Sequence, residues 1–557
     1  MYLGIDVGGT FTDGVLVSEN KIIKTCKIPT SNNSILEAFE KLMDDKPFKR
    51  LEKIVISTTL MTNLILERKY DKTGLLLLPG PGISYQDYNF PFQFAIARGS
   101  IDFQGRIIEP VDEDEIIENV GQLIRAGCLN IGIISKFSSR NPALELEVEK
   151  IVKKQFPHLN IKLGHQVTGN LNFIRRAMGT GLFLATHNTF YNFILDIENS
   201  FKQRNINCPV YILKADGGIV PIKFVDKFAV DTILSGPAAS CLGAKALLES
   251  DASAIVVDIG GTTTDLSLIL NSIPLYASRG VRIEDIYTHV RSLAVYSIPI
   301  GGDTGIDIDG NNCLILTFQR AGLPACLGGE KPTLTDCLRV LDLTDIGDKD
   351  KAYSVLENIS ILLKKPVTEI ANTALNMATD LIIKAIEKVF KIWQEEPAYR
   401  IWQLLNPLSI KPNTLICLGG PSGPMGRLLS EKMQIKNVHY PLCSVANAIG
   451  AALAIPTYEE KVRINTEKGE ISSSWGYFVK MENLQKQKLF PKIAETKALE
   501  VFNLFLKENK VYAEPEIYQH EVFNMVRNWQ TTGQIHEITL GIKPKILGFI
   551  ENKECFG

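Results

Sequence analysis

The sequence predicts an α/β protein built as two duplicated lobes, each carrying an insertion, with a small α/β appendage at the carboxyl end. Three observations predict this. At 557 residues the chain is too long for one hydrophobic core and should divide. The segment Ile5-Asp6-Val7-Gly8-Gly9-Thr10-Phe11-Thr12-Asp13 returns without a gap as Val257-Asp258-Ile259-Gly260-Gly261-Thr262-Thr263-Thr264-Asp265. Each copy is followed, far downstream, by an apolar strand ending in Gly-Gly and then by a helix of small residues.

In chain order, the first lobe (1–245) opens on the apolar run Tyr2–Val7 and turns at Gly8-Gly9. It continues through Gly14–Val17 and adds a hairpin partner around Ile22–Ile28. Its Gly-Gly strand is Val210–Gly218 and its small-residue helix Ser235–Ala244. Residues 75–205 read as an α/β insertion with helices at Glu113–Ala126, Ala143–Gln155 and Arg175–Phe193. The second lobe (246–455) repeats the plan, with the strand Leu266–Leu270, a partner around Pro274–Ser278, the Gly-Gly strand Leu415–Gly420 and the helix Val445–Ala452. An insertion at about 355–395 places Ile370, Ala374, Met377, Leu381, Ala385, Val389 and Trp393 at helical spacing, a core-packing face. Residues 456–557 read as a linker, charged and polar over Tyr458–Ser474, followed by the appendage with one helix near Glu495–Lys507.

Composition narrows the function. A net charge of −2 leaves no basic excess for phosphate neutralisation and argues against a nucleic-acid binder. The ten cysteines include no C-x-x-C pair and read as reduced, buried side chains. The start of the chain has neither the basic region nor the cleavage site of a secretory signal, and no apolar run approaches the length of a bilayer span. A cytoplasmic location without a membrane partner is expected.

The chemistry lies in the repeat. A hairpin turning through Gly-Gly-Thr brings several backbone N–H groups into one concavity, because glycine has no Cβ to hold a ligand away. Gly8, Gly9, Thr10, Thr12 and Asp13, with Gly260, Gly261, Thr262, Thr263 and Asp265, are therefore expected to line a polyphosphate. Asp6 and Asp258, one per lobe at the ends of buried strands, suit a magnesium ion held largely through water. The plainer alternative is that each aspartate caps its own turn. Gly419, Gly420 and Gly423, before a helix at Met425–Met433, would let an adenosine lie against bare backbone. No Walker A pattern or dinucleotide fingerprint competes. His289, Cys241 and Cys417 read as packing residues rather than ligands.

With these motifs the chain resembles the actin-like superfamily of sugar kinases and heat-shock ATPases, whose lobes are ribonuclease-H-like. Asp6–Asp13 and Asp258–Asp265 look like its two phosphate motifs, and Leu415–Gly423 like its adenosine motif. Within it, Gly-Gly-Thr-Phe-Thr-Asp is most similar to the hydantoinase A and 5-oxoprolinase family, which includes acetone carboxylase subunits. Ser57–Asn63 with Glu67-Arg68, Ala215–Gly218, Leu234–Ala239 and Pro332–Asp336 support this over about residues 1–455. The chain departs where the family has a Gly/Ser-rich stretch, reading Gly301–Asp307, and where a Gly-Pro-rich segment gives way to Thr317–Cys326. The family's longer carboxyl-terminal region is not matched.

The resemblance implies ATP and Mg2+ as cofactors and an ATP-dependent hydrolase of a cyclic amide, of the hydantoin or 5-oxoproline type, or a related carboxylase subunit. Phosphorylation of the carbonyl oxygen would turn a poor electrophile into one that water can attack. It also implies a small-molecule substrate and a second, hydantoinase B-like subunit. Asp6, Asp258 and Asp216 are the expected catalytic carboxylates, and Thr59, Asn63, Gly301, Gly302 and Asp303 the expected substrate residues. A small-molecule kinase, with Asp216 or Asp303 as base, shares the fold. So does a non-catalytic ATP switch or assembly subunit that closes its lobes on nucleotide.

Overall fold

The structure is a computed structural model that describes residues 1–43, 51–82, 89–224, 228–249, 251–277, 279–283, 286–320, 322–394, 412, 414–474, 477–481, 489–509, 511 and 513–553. The opening run Tyr2–Val7 is buried because it has a neighbour on each side. It pairs antiparallel with Phe11–Ser18 and parallel with Lys53–Thr58, a strand buried along its whole length. Outward from this centre the sheet continues to Lys21–Pro29 on one side, and to Val210–Leu213 and Ile219–Pro221 on the other. In a second six-stranded sheet, Ala254–Ile259 pairs antiparallel with Thr264–Leu270 and parallel with Thr414–Leu418. Ile273–Pro274 and Lys436–Val438 flank these, and Tyr296–Ile298 also joins Thr264–Leu270. The partner expected at Pro274–Ser278 is thus a shorter strand, and Ser278 lies outside the described residues.

Helices Ser235–Leu247 and Ala446–Leu453 are buried along nearly their whole length. Their small residues permit backbone contact. A Cβ on Gly243 would fall 1.9 Å from the Ala446 carbonyl oxygen, and one on Gly450 2.0 Å from that of Ala239. The second helix also lies on the first strand, where a Cβ on Gly4 would meet the Ala448 carbonyl oxygen at 2.1 Å. This helix pair ties the strand that carries Asp6 to the strands around Asp258.

Four parallel strands, in the order Asn160–Leu163, Asn130–Ser135, Thr73–Leu78, Gln93–Ile96, form a separate sheet with the helices Glu113–Arg125 and Ala143–Gln155, where the sequence places them. The next helix, Phe173–Gln203, outruns its expected end at Phe193 because Ile194, Ile197 and Phe201 extend its buried face. The helical insertion of the second half is two helices, Lys349–Leu363 and Val367–Gln394, parted where Lys364 takes a left-handed conformation before Pro366.

The run Tyr458–Ser474 corrects the reading of a linker. It supplies Tyr458–Asn465 and Glu470–Ser473 to a five-stranded antiparallel sheet completed by Phe478–Lys480, Gln530–Ile542 and Glu516–Arg527. Tyr458, Val462 and Ile464 point inward with the buried Glu460, while Glu459 and Lys461 face outward, so the consecutive charges Glu459–Lys461 concealed a half-buried strand. Helix Pro491–Glu508 covers this sheet. Among the described residues no helix is long and apolar enough to cross a membrane.

The helix contact is testable. Gly243→Val should lower the unfolding free energy by about 3 kcal/mol, the upper end of ordinary overpacking. Gly310→Ala, where nothing lies within 4 Å of an added Cβ, should stay within about 0.5 kcal/mol of the parent in the same denaturant titration. Equal midpoints for the two variants would contradict the contact.

Candidate functional site

Strand register builds the site. Asp6 lies directly opposite Asp13 across the first hairpin, and Asp258 opposite Asp265 across the second, so each pair of carboxylates shares one face of its sheet. The hairpins face a common cleft. Asn447, on helix Ala446–Leu453, donates its amide to Asp6 Oδ2 at 3.2 Å and to Asp258 Oδ2 at 3.5 Å. Ser240, on the partner helix, donates to Asp258 Oδ2. Lys27 pairs with Asp13 at 2.5 Å and donates to the Ser444 carbonyl at 3.2 Å. Ser297 donates to Asp265.

Four carboxylates with so few cations are hard to keep ionised. Burial pushes Asp6 up to about 7, opposed by the Ser57 hydroxyl and the Asn447 amide, with the nearby Asp13 and Asp258 charges adding to the shift. Burial, reinforced by Asp258, raises Asp265 to about 7 against the Ser297 hydroxyl. Asp13 and Asp258 are also raised by burial. Lys27 restrains the first; Ser240 and Asn447 restrain the second. Asp6 Oδ1 is buried without a hydrogen-bond partner. A buried carboxylate oxygen without a hydrogen-bond donor, on an aspartate that shares Asn447 with a second aspartate, fits a hydrated divalent cation. Among the described residues no group of three His, Cys, Asp or Glu side chains could hold a metal, so protein ligands alone would not complete its shell.

Both turns are closed internally. The Gly8 N–H donates to the Phe11 carbonyl at 3.0 Å and the Gly260 N–H to the Thr263 carbonyl at 2.9 Å. Those two N–H groups are spent on the turn, and the tips Gly9–Thr10 and Gly261–Thr262 face outward, with Gly9, Gly260 and Thr262 exposed. Thr12 does not join them. Strand alternation turns it away from Asp13 into the protein, where its hydroxyl donates to Ser34 at 2.9 Å and contacts that of Thr30 at 3.1 Å.

The adenosine candidates sit beside the second hairpin. Gly419, at φ +89°, would place a Cβ 2.2 Å from the Ile259 carbonyl oxygen and 3.2 Å from Asp258 Oδ1. Gly420 opens onto free space, and Gly423 lies within the first turn of helix Ser422–Met433 against His439. The substrate candidates flank both turns. The Thr59 N–H donates to the Val7 carbonyl at 3.3 Å, and Asn63 Nδ2 reaches Thr59 Oγ1 at 3.4 Å. Gly302 and Asp303 donate backbone N–H groups to the Gly260 and Gly261 carbonyls at 2.9 and 2.6 Å. A Cβ on Gly301 would meet Gly261 O at 2.4 Å, and one on Gly261 would meet Asp303 Oδ2 at 2.8 Å.

Asp216 is bonded within its own turn and to the segment after the second lobe. Its oxygens accept from the Gly218 N–H at 2.9 Å and the Thr457 hydroxyl at 2.9 Å, with Lys214 at 3.5 Å, so it caps its turn. His289 turns to the Asn172 carbonyl, and burial holds it down at about 3. Cys241 and Cys417 are buried. Reading the sequence missed Asn447, Ser240 and Lys27. Asn447 left one signal, a polar side chain on an otherwise small and apolar helix.

Residues 2–156 match the N-terminal region of the hydantoinase/oxoprolinase family and residues 185–460 its main domain. The chain belongs to the hydantoinase/oxoprolinase family. An uncharacterised protein of Methanocaldococcus jannaschii is 25% identical over 81% of this chain and 72% of its own length. The caprolactamase subunit alpha of Pseudomonas jessenii is 24% identical over 60% of this chain, and the match spans only 53% of that subunit. The nucleotide-free structure of acetone carboxylase superposes with a TM-score of 0.75 over 99% of this chain and 88% of that one, at 18% identity.

The raised Asp6 carboxyl has a consequence for stability. Its folded value exceeds its ordinary 3.8, so its favourable contribution is complete below about pH 4 and is lost as pH rises through about 7. Asp6→Asn removes this loss. The variant, without divalent cation, should gain unfolding free energy over the parent between pH 5 and 8, and millimolar Mg2+ should narrow the gap by favouring the parent's charged form. A difference constant across that range would contradict the assignment.

Proposed function

We propose that the two sheets belong to duplicated ribonuclease-H-like lobes of the actin and hexokinase type that enclose Mg·ATP, and that the chain is the ATP-using component of a cyclic-amide hydrolase or related carboxylase. We place the lobes at about 1–245 and 246–455. The observation that carries the reading is the meeting of Asp6 and Asp258 through Asn447, with a glycine-tipped turn beside each.

In this reading Gly9, Thr10, Gly261, Thr262 and Thr263 line the polyphosphate, and Gly419 to Gly423 take the adenosine. A bound Mg2+ supplies positive charge to the triphosphate, held largely through water by Asp6 and Asp258. Lys27 opposes the burial that raises Asp13, and Asn447 fixes the spacing of the two aspartates. Thr59, Asn63 and the Gly301–Asp303 segment border the transfer site from opposite sides.

The chemistry follows from the weak electrophilicity of an amide. The carbonyl oxygen bonds to the γ-phosphorus as the bond to the ADP oxygen breaks. Water adds to the activated carbon, the C–N bond opens with a proton passing to nitrogen, and a second water splits the resulting acyl phosphate into carboxylate and phosphate. The chain's contribution is orientation and electrostatics. Two relatives, the acetophenone carboxylase gamma subunit and the caprolactamase subunit alpha, are each one subunit of an enzyme, which supports a further hydantoinase B-like component for ring opening.

A kinase is the second reading, favoured by the Asp303 carboxylate beside Gly261. ADP, phosphate and substrate measured together separate these. The isolated chain should turn over ATP slowly, and ring-opened acid should form with ADP and phosphate only beside the second subunit. Stoichiometric phosphorylation of an alcohol would instead establish a kinase. ATP turnover that needs only a protein partner would leave a switch.

Gly420→Val tests the adenosine end, because open space around Gly420 lets the variant fold. Its ATP affinity should fall at least tenfold by titration calorimetry. Parent-like affinity would displace the site.

A further inference from the structure

In the four-stranded parallel sheet the chain leaves Thr73–Leu78 for Gln93–Ile96 on one side, and leaves Asn130–Ser135 for Asn160–Leu163 on the other. Connections that diverge from two adjacent parallel strands open a crevice at their carboxyl ends, the place where sheets of this kind bind ligands. Those ends are Leu78 and Ser135. None of the residues assigned to nucleotide belongs to this sheet.

The turn that follows Ser135 gathers polar atoms without partners. The hydroxyls of Ser135, Ser138 and Ser139 and the Nε groups of Arg140 and Arg176 are buried and make no hydrogen bond. Ser135 and Ser138 are each 1% exposed, so bulk solvent does not satisfy them. Phe137 takes a left-handed conformation at φ +61°, unfavourable for an aromatic residue. It folds the turn back on itself, with the Ser138 N–H donating to the Ser135 carbonyl at 3.3 Å. Arg176 is fully buried, and its terminal nitrogens donate to the Asn170 and Ser135 carbonyls at 2.6 and 2.7 Å, neither of which carries a charge.

The nearby carboxylates do not answer these donors. Glu145 accepts from the Ser135 N–H at 2.8 Å and the His165 N–H at 3.0 Å, and meets His165 Nδ1 at 2.6 Å, so both its oxygens are taken. Glu537, from the carboxyl-terminal sheet, brings Oε1 to 3.6 Å from Arg140 and 3.7 Å from Arg463, both too long for a hydrogen bond. Arg463 Nε is likewise buried without a hydrogen bond. Two guanidiniums thus share one loosely held carboxylate oxygen. Burial, reinforced by the Arg140 charge, pushes Arg463 down to about 10 against the pull of Glu537. The charges of Arg176, Arg175 and Lys461 likewise add to the burial that holds His289 down.

We propose that this crevice binds a small oxyanion, a phosphate or a carboxylate, through the Ser138 and Ser139 hydroxyls and the Arg140 and Arg463 guanidiniums, with Glu537 holding the anion's place until it arrives. Donors and positive charge left over after every local acceptor is used select a ligand made of acceptors, and guanidiniums match the planar oxygen pairs of both groups. Arg140 belongs to the parallel sheet's loop and Glu537 to the carboxyl-terminal sheet, so the arriving anion replaces a contact between these two parts of the chain. The proposal is independent of the nucleotide reading.

Titration calorimetry of the full chain with sodium phosphate and with sodium acetate, at low ionic strength, tests it. Arg140→Gln should weaken anion binding about tenfold or more. Glu537→Gln removes the competing carboxylate and keeps the side chain's shape, so it should tighten binding about threefold or more, a gain that damaged folding does not produce. Tighter binding of phosphate supports the site with a phosphorylated ligand, and tighter binding of acetate supports it with a carboxylate. No binding of either anion by the parent or by Glu537→Gln, or parent-like affinity in Arg140→Gln, overturns the proposal. Anion binding lost in Thr262→Val but kept in Arg140→Gln would belong to the glycine turns and overturn it as well.

Discussion

Asp6 and Asp258 reach one amide, that of Asn447, from two different sheets. Two more carboxylates, Asp13 and Asp265, lie directly across their hairpins, and Lys27 on Asp13 is the cation paired within this group. Concentrating negative charge in a poorly solvated cleft is costly unless a cation or proton answers it. The apparent waste has a use if the cation arrives with the ligand. The hairpins, the glycine turns and the buried helices can all be understood as keeping this arrangement in place.

Rigidity comes from backbone contact. Helix Ala446–Leu453 carries Asn447 and presses on the first strand at Gly4 and on the opposing helix at Gly243 and Gly450. Even the Cβ of an alanine at those points would meet a carbonyl oxygen at about 2 Å, so the backbones would have to move apart. Small residues here therefore serve the electrostatics as much as the packing. The Lys27 bond to the Ser444 carbonyl adds a second tie between the first hairpin and the segment entering that helix.

The hairpins were legible because aspartate, glycine and threonine recur at fixed offsets and no strand alternative uses that many turn residues. The two small-residue helices were legible for the same compositional reason. Asn447 was not, since its partners lie 441 and 189 residues away and its one local signal, a polar side chain on an apolar helix, does not say what it meets. Thr12 shows a rule available but unused: neighbours on a strand face opposite sides, so Thr12 and Asp13 could not both line the cleft. Tyr458–Ser474 misled because Glu459–Lys461 is an unbroken charged run, and one of its members, Glu460, takes a buried inward position of the strand. At Asp216 the Gly-Gly pattern was genuine, and the carboxylate serves the turn.

The proposed function stands on one physical claim, that Asp6 and Asp258 jointly hold the cation of a bound nucleotide. Paramagnetic resonance of Mn2+ with a non-hydrolysable ATP analogue measures this directly. One tightly held Mn·nucleotide per chain is predicted for the parent, weakened at least tenfold in both Asp6→Asn and Asp258→Asn while their folds persist. Parent-like Mn·nucleotide affinity in both variants would contradict it.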